Sequence, residues 1–119
     1  MPIQILGTGS YTPEKIMTNH DLEKIVETND EWITTRTGIR ERRIASEDQA
    51  TSDLAIIAAE RALKSAGVEA DELDVLLIAT CSPDMAFPST ATLVQNQLGA
   101  KNAFAMDLSA ACSGFIFAL

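Results

Sequence analysis

Positive charge is scarce in this chain: nine lysines and arginines stand against seventeen aspartates and glutamates, a net charge of −8 over 119 residues. That balance lacks the basic footprint with which proteins hold a phosphate backbone, so no nucleic-acid partner is expected. Histidine occurs once, at His20, and cysteine twice, at Cys81 and Cys112. No His, Cys and carboxylate cluster surrounds His20, so no metal site is expected, and His20 is placed in the first turn of a surface helix without a catalytic role. Two cysteines without an export signal fit a reducing cytoplasm, where two free thiols with different jobs are expected rather than a disulfide. Met1–Tyr11 shows no basic start followed by a long apolar core, and no apolar run approaches the ~18 residues of a spanning helix. Neither secretion nor membrane insertion is therefore expected. At this length the chain is one domain at most, and its 46% apolar residues suit an ordinary globular α/β core.

Along the chain, Ile3-Gln4-Ile5-Leu6 reads as a strand running into the turn Gly7-Thr8-Gly9-Ser10, closed by Pro13. Thr18 followed by Asp21 has capping-box form and predicts a helix through about Glu27. Thr28 with Glu31 repeats the signature, and Gly38 ends that second helix. Arg42–Ala45 reads as a short strand. A long helix is predicted from Thr51 to Gly67, with Ala55, Ala58, Ala59, Ala62 and Ala66 forming a small-residue face, extended by Ile56 and Leu63, suited to close packing on a sheet. Asp74–Thr80 is near-continuously apolar, the pattern of a parallel strand covered on both faces. Ser89 or Thr90 opens a helix that closes at Gly99, Ala103–Leu108 is the next strand, and a further helix begins after it. This alternation predicts a parallel sheet with crossover helices. The pattern stops at Phe117-Ala118-Leu119 without a cap or polar tail, as a fragment would.

Two clusters carry chemistry. Arg36, Arg40, Arg42 and Arg43 fall within eight positions and read either as a local anion site or as a solvated charged turn. Cys112, in Ser109-Ala110-Ala111-Cys112-Ser113-Gly114-Phe115, sits at a predicted strand-to-helix turn. The thiolate is the reactive form of cysteine, and backbone N–H groups at a helix amino end favour it. The same pattern also fits a buried structural cysteine. Thr12 stands where a dinucleotide fingerprint needs its third glycine, which excludes a Rossmann reading of Gly7-x-Gly9.

Four blocks taken together resemble one family. They are Gly7-x-Gly9-x-Tyr11-x-Pro13; Asn29-Asp30-Glu31-Trp32-Ile33-x-x-Arg36-Thr37-Gly38-Ile39-x-x-Arg42; Ala86-Phe87-Pro88-Ser89-Thr90; and Asp107-x-x-Ala110-Ala111-Cys112-x-Gly114-Phe115. They are similar to the amino-terminal part of β-ketoacyl-acyl-carrier-protein synthases III, the initiating condensing enzymes of type II fatty acid synthesis. The resemblance covers the whole chain, while the chain covers well under half of such an enzyme. It implies an α/β, thiolase-like fold, with residues 1–119 forming mostly the first half of the amino-terminal domain. That half is a mixed sheet covered by helices, with Cys112 on a buried helix.

The resemblance also implies roles. Cys112 would take the acetyl group from acetyl-CoA, its backbone N–H contributing to an oxyanion hole, and the acetyl-enzyme would condense with malonyl-acyl carrier protein. Trp32 would stack on the CoA adenine and Arg36 would pair with a CoA phosphate. Thr28 would touch the nucleotide, and Arg40 would serve the same anionic pocket or the carrier's phosphopantetheine. Phe87 would reach across a homodimer to line the partner's acyl pocket. CoA thioester enters as a substrate, and no cofactor is bound permanently. Structural readings compete at three of these positions: Trp32 as a core anchor, Arg36 as a surface cation and Phe87 as plain core.

Departures from the pattern also count. Ser113 stands where many members carry Ala, and Cys81 and Met85 fall in the variable segment leading to the acyl pocket. The family's histidine and asparagine lie in the second half, so residues 1–119 alone are expected neither to condense nor to decarboxylate. Other thiolase-superfamily acyltransferases, polyketide-type synthases and a non-catalytic α/β interaction module are the alternatives.

Overall fold

Val75–Ala79 (β3) and Phe104–Leu108 (β4) are extended because their side chains are almost all apolar, and they pair in parallel with Val75 opposite Phe104 and Ala79 opposite Leu108. The computed structural model describes residues 3–119 and divides into two compact units, one of residues up to Tyr11 together with Gln49–Leu119 and the other of Thr12–Asp48.

In the first unit, Thr51–Ala66 (α3) packs against Thr90–Leu98 (α4), which crosses from β3 to β4 and covers one face of their sheet. The core there is Leu76, Ala91, Val94, Ala100 and Ala103, with Ala55, Ile56, Ile78 and Ala105 packed around it. Val94 is fully buried, which contributes ~1.5–3 kcal/mol. Gly67 and Gly99 end α3 and α4 in the left-handed conformation that favours glycine. Gly114–Ala118 (α5) packs against β3.

Four expectations change in this unit. Ile3–Leu6 joins no ladder, and Ile3, Ile5 and Leu6 stay exposed, because a strand persists only where another backbone edge pairs with it. The glycines that follow press on α3 instead: a Cβ on Gly7 would lie 2.5 Å from the Ala66 nitrogen, and one on Gly9 would collide with the Ala58 carbonyl and the Ala62 nitrogen. Part of the alanine face of α3 therefore receives glycine backbone rather than a sheet. Nor are the strands covered on both faces. Val75, Phe104 and Met106 remain exposed, as do Phe115, Ile116 and Phe117 of α5, so the helix expected to be buried presents its apolar side chains to solvent.

The second unit is built on a hairpin that the sequence reading half missed. Lys15–Thr18 (β1) pairs antiparallel with Glu41–Ile44 (β2), Lys15 opposite Ile44 and Thr18 opposite Glu41. The Thr18–Asp21 capping box forms: the Thr18 hydroxyl accepts the Asp21 N–H at 3.2 Å and the Asp21 carboxylate accepts the Thr18 N–H at 3.1 Å. Its helix, Asn19–Leu22 (α1), is shorter than expected. Ile25 and Val26 are exposed, so no packing rewards further turns. Glu23 turns its carboxylate to accept the Asp30 N–H at 2.7 Å. Asp30–Thr37 (α2) is capped by Asn29, not Thr28, through the Trp32 N–H, and Gly38 ends it with φ +73°.

Candidate functional site

Trp32 and Arg36 lie one turn apart on α2, so helical spacing puts them on the same face. The Arg36 guanidinium stacks on the indole, 4.8 Å from the ring centroid, a favourable cation–π distance. Trp32 nevertheless remains 54% exposed, too open for a core anchor. Two shallow clefts flank it, one of about 240 Å³ lined by Glu27, Thr28, Asn29 and Trp32, the other of about 350 Å³ lined by Asn29, Glu31, Trp32, Thr35 and Arg36. Thr28, Trp32 and Arg36 are thus gathered around one exposed aromatic ring, suited chemically to a flat base and an anionic group. Asn29, not singled out in the sequence, borders both clefts. Thr28 and Asn29 offer equally good cap side chains, and the Thr28–Glu31 spacing pointed to the wrong one of the two.

The arginine cluster separates into two kinds. Arg42 turns inward and donates to the Asn19 side-chain carbonyl at 2.9 Å, while Arg43 donates to the Pro13 carbonyl at 3.1 Å and lies 3.7 Å from Glu41. Arg36 and Arg40 are the exposed members outside the hairpin. Asn19 is the buried hub of this unit, 1% exposed. Its amide donates to Asp30 at 2.8 Å and to the Ile39 carbonyl at 2.8 Å. That donation, more than any other influence, holds the Asp30 carboxyl below the usual carboxylate range. Asn19 escaped the sequence reading because an asparagine after a cap residue looks like any surface asparagine. His20 lies on α1 with its ring exposed, 3.4 Å from Glu23.

Cys112 belongs to the first unit. It follows β4 in a short 3-10 turn, Ala111–Ser113, and is exposed. Ala111, just before it, has φ +45°, a left-handed conformation that costs a non-glycine residue of order 1–3 kcal/mol and is held only where the surroundings impose it. The sharp turn presents the thiol at the end of the strand. Gly114 is buried because α5 starts against β3: a Cβ there would stand 3.0 Å from the Ala79 Cβ. The spacing Cys112-x-Gly114 therefore has a steric cause. A buried structural role for Cys112 does not fit its exposure. Cys81 is likewise free and exposed, with the Ser109 hydroxyl 4.0 Å from its sulfur.

Phe87 lies between β3 and α4 and is 88% exposed, so it is not core in this chain. Met85 beside it is also exposed. Among the described residues no group of three or more His, Cys, Asp or Glu side chains is placed to hold a metal, and no helix is long and apolar enough to cross a membrane.

The parallel β3–β4 pair with α4 crossing between its strands belongs to a thiolase-like fold, and comparison with known proteins agrees. No protein-family model matches the chain. It is 64% identical over 115 residues to the β-ketoacyl-[acyl-carrier-protein] synthase III of Caldanaerobacter subterraneus subsp. tengcongensis, covering 97% of this chain and 35% of that protein. It is 60% identical over all 119 residues to that of Oceanobacillus iheyensis, covering 38% of it. Among solved structures, the 3-oxoacyl-[acyl-carrier-protein] synthase III of Aquifex aeolicus superposes with a TM-score of 0.91 at 57% identity, over 97% of this chain and 37% of that one. The priming β-ketosynthase of the R1128 polyketide pathway superposes at 0.92 with 40% identity, over 97% and 34%. Over nearly all of its length the chain is similar to β-ketoacyl-acyl-carrier-protein synthases III, and it spans little more than a third of the length of these relatives.

Proposed function

We propose that this chain is the acyl-accepting part of an initiating condensing enzyme of type II fatty acid synthesis, the partial amino-terminal domain of a thiolase-like protein. The observation that carries the reading is the exposed Cys112 on its strained turn. The Cys112 thiolate attacks the thioester carbonyl of acetyl-CoA, the carbonyl oxygen takes negative charge beside the Cys112 N–H, and CoA leaves as its thiolate. Malonyl-acyl carrier protein then loses CO2, and the carbanion attacks the acetyl-cysteine. The new carbon–carbon bond releases acetoacetyl-acyl carrier protein and regenerates the thiolate. CoA passes through as substrate, and no cofactor stays bound.

Trp32 takes the adenine on the indole face that Arg36 leaves open, while Arg36 presents donors to phosphate, with Thr28 and Arg40 beside the same nucleotide. The exposed stacking pair and its two clefts support the roles of Trp32, Arg36 and Thr28, while Arg40 lines neither cleft. Phe87, exposed on a loop, lines the acyl pocket of the partner in a homodimer. In a chain of net charge −8, Arg36 and Arg40 suit an acidic carrier protein. The free thiols fit a cytoplasmic enzyme. The histidine and asparagine of the family's decarboxylation step match nothing in residues 1–119, so this chain alone forms no acetoacetyl product.

The test is mass spectrometry of the full-length protein after incubation with acetyl-CoA alone. An acetyl adduct on the Cys112 peptide that disappears in Cys112→Ser is the expected result. An unmodified Cys112 peptide refutes the reading and favours a non-catalytic module. The fold likeness to a polyketide priming synthase keeps that relative as a second reading, separated by comparing acetyl-CoA with longer and branched acyl-CoA primers.

A further inference from the structure

Two carboxylates link the segment bearing Phe87 to the strand that leads to Cys112. Between β3 and α4 the chain has no regular structure, yet its base is held at several points. The Thr51 hydroxyl donates to the Ser82 carbonyl at 2.6 Å. Asp84 accepts the Ser52 N–H at 2.9 Å on one oxygen and the Ser52 hydroxyl at 2.5 Å on the other. Its carboxylate thereby satisfies the amino end of α3, where N–H groups have no helical partner. The Asp84 N–H donates in turn to the Thr90 hydroxyl at 3.0 Å. Thr90 is fully buried and passes its own N–H to Asp107 at 2.8 Å. Asp107 lies on β4, five residues before Cys112. Charge-assisted bonds of this kind are about twice as strong as neutral ones. Met85 and Phe87, between the fixed ends, project into solvent.

We infer that Asp84 is a positioning residue for acyl-chain selection, holding the Phe87 segment in register with the strand that ends in the Cys112 turn. The inference rests on the proposed roles of Phe87 as pocket wall and Cys112 as acyl carrier. Asp84 itself touches neither primer nor sulfur. Its work is to keep Phe87 from drifting, and drift alters which acyl chains fit.

The readout is the ratio of kcat/KM for isobutyryl-CoA to that for acetyl-CoA in the full-length enzyme. A loss of fold content lowers both values together, whereas a displaced pocket wall changes their ratio. Asp84→Ala is expected to shift the ratio roughly fivefold or more, in the direction of Phe87→Ala. The double variant adds little to Phe87→Ala, because both act on one wall. Asp84→Asn keeps an acceptor for Ser52 and restores most of the wild-type ratio. Ser52→Ala removes the hydroxyl from the other side of the contact and shifts the ratio the same way by less, which serves where Asp84→Ala fails to fold. A flat ratio in Asp84→Ala, or in Ser52→Ala where the former does not fold, overturns the positioning role if Phe87→Ala still shifts it. A flat ratio in Phe87→Ala overturns the pocket reading, and the inference with it.

Discussion

Asp107→Ala removes the one side chain that accepts two N–H groups at the start of α4. Asp107 lies on β4 and takes the Thr90 N–H at 2.8 Å and the Ala91 N–H at 2.7 Å, one on each oxygen. Thr90 and Ala91 are both fully buried, so water cannot replace the carboxylate without opening the packing of α4 on the sheet. Leaving a buried donor unmade costs ~1–3 kcal/mol, and the negative charge at a helix amino end adds ~0.3–1 kcal/mol. Two donors and one charge give a loss of about 3–5 kcal/mol once some relaxation is allowed, a large share of the ~5–15 kcal/mol that holds a typical domain. Asp107→Asn keeps one acceptor and turns an NH2 toward the other donor, for about half that loss. Urea unfolding of the full-length protein, followed alongside hydrogen exchange of the α4 amides, measures both variants. The Ser89 cap, which accepts the Thr92 N–H at 3.2 Å, is untouched by either change and serves as the internal control. A loss below about 1 kcal/mol in Asp107→Ala, or α4 protection equal to wild type, refutes the reasoning.

Gly9→Ala is expected to cost about 2–4 kcal/mol, since its Cβ would collide with the α3 backbone, whereas Gly38→Ala, with open space but φ +73°, costs about 1–2 kcal/mol. Thermal melts that rank the two the other way contradict the close approach. Trp32→Ala is expected to raise KM for acetyl-CoA roughly 5- to 150-fold, from ~1–3 kcal/mol of base stacking, with kcat within about twofold; an unchanged KM sinks the nucleotide site. Asp30 and Asp21 both titrate below the usual carboxylate range, Asp30 chiefly through Asn19 and Asp21 chiefly through the Thr18 hydroxyl. A depressed folded value stabilises above the ordinary carboxylate pKa and is lost as pH falls through the folded one. Hydrogen exchange of α2 should therefore hold steady from neutral pH to about 4 and accelerate below it beyond the intrinsic rate, and a flat corrected profile would contradict this.

Local chemistry was legible because it is written in neighbouring residues. Thr51 to Gly67, Ser89 to Gly99 and the Thr18–Asp21 box were readable because caps and left-handed glycines act within one turn. The turn that carries Cys112 was readable from its motif, although only the backbone revealed the left-handed Ala111 before it and the tight seat of Gly114 against Ala79. What stayed hidden depends on partners distant in sequence. Lys15–Thr18 became a strand because Glu41–Ile44 lies beside it, while the more apolar Ile3–Leu6 found no edge to join. Arg42 left the anion cluster because buried Asn19, twenty-three residues earlier, needed a donor.

The sequence by itself determined the resemblance to condensing enzymes, the ends of α3 and α4 and the motif around Cys112, since each follows from side-chain chemistry at short range. Tertiary structure alone decided which arginines remain exposed, where the Phe87 segment is tied down and what the two carboxylates at Asp84 and Asp107 do. Those outcomes rest on satisfying buried N–H and C=O groups, and only the folded chain brings the donors and acceptors together.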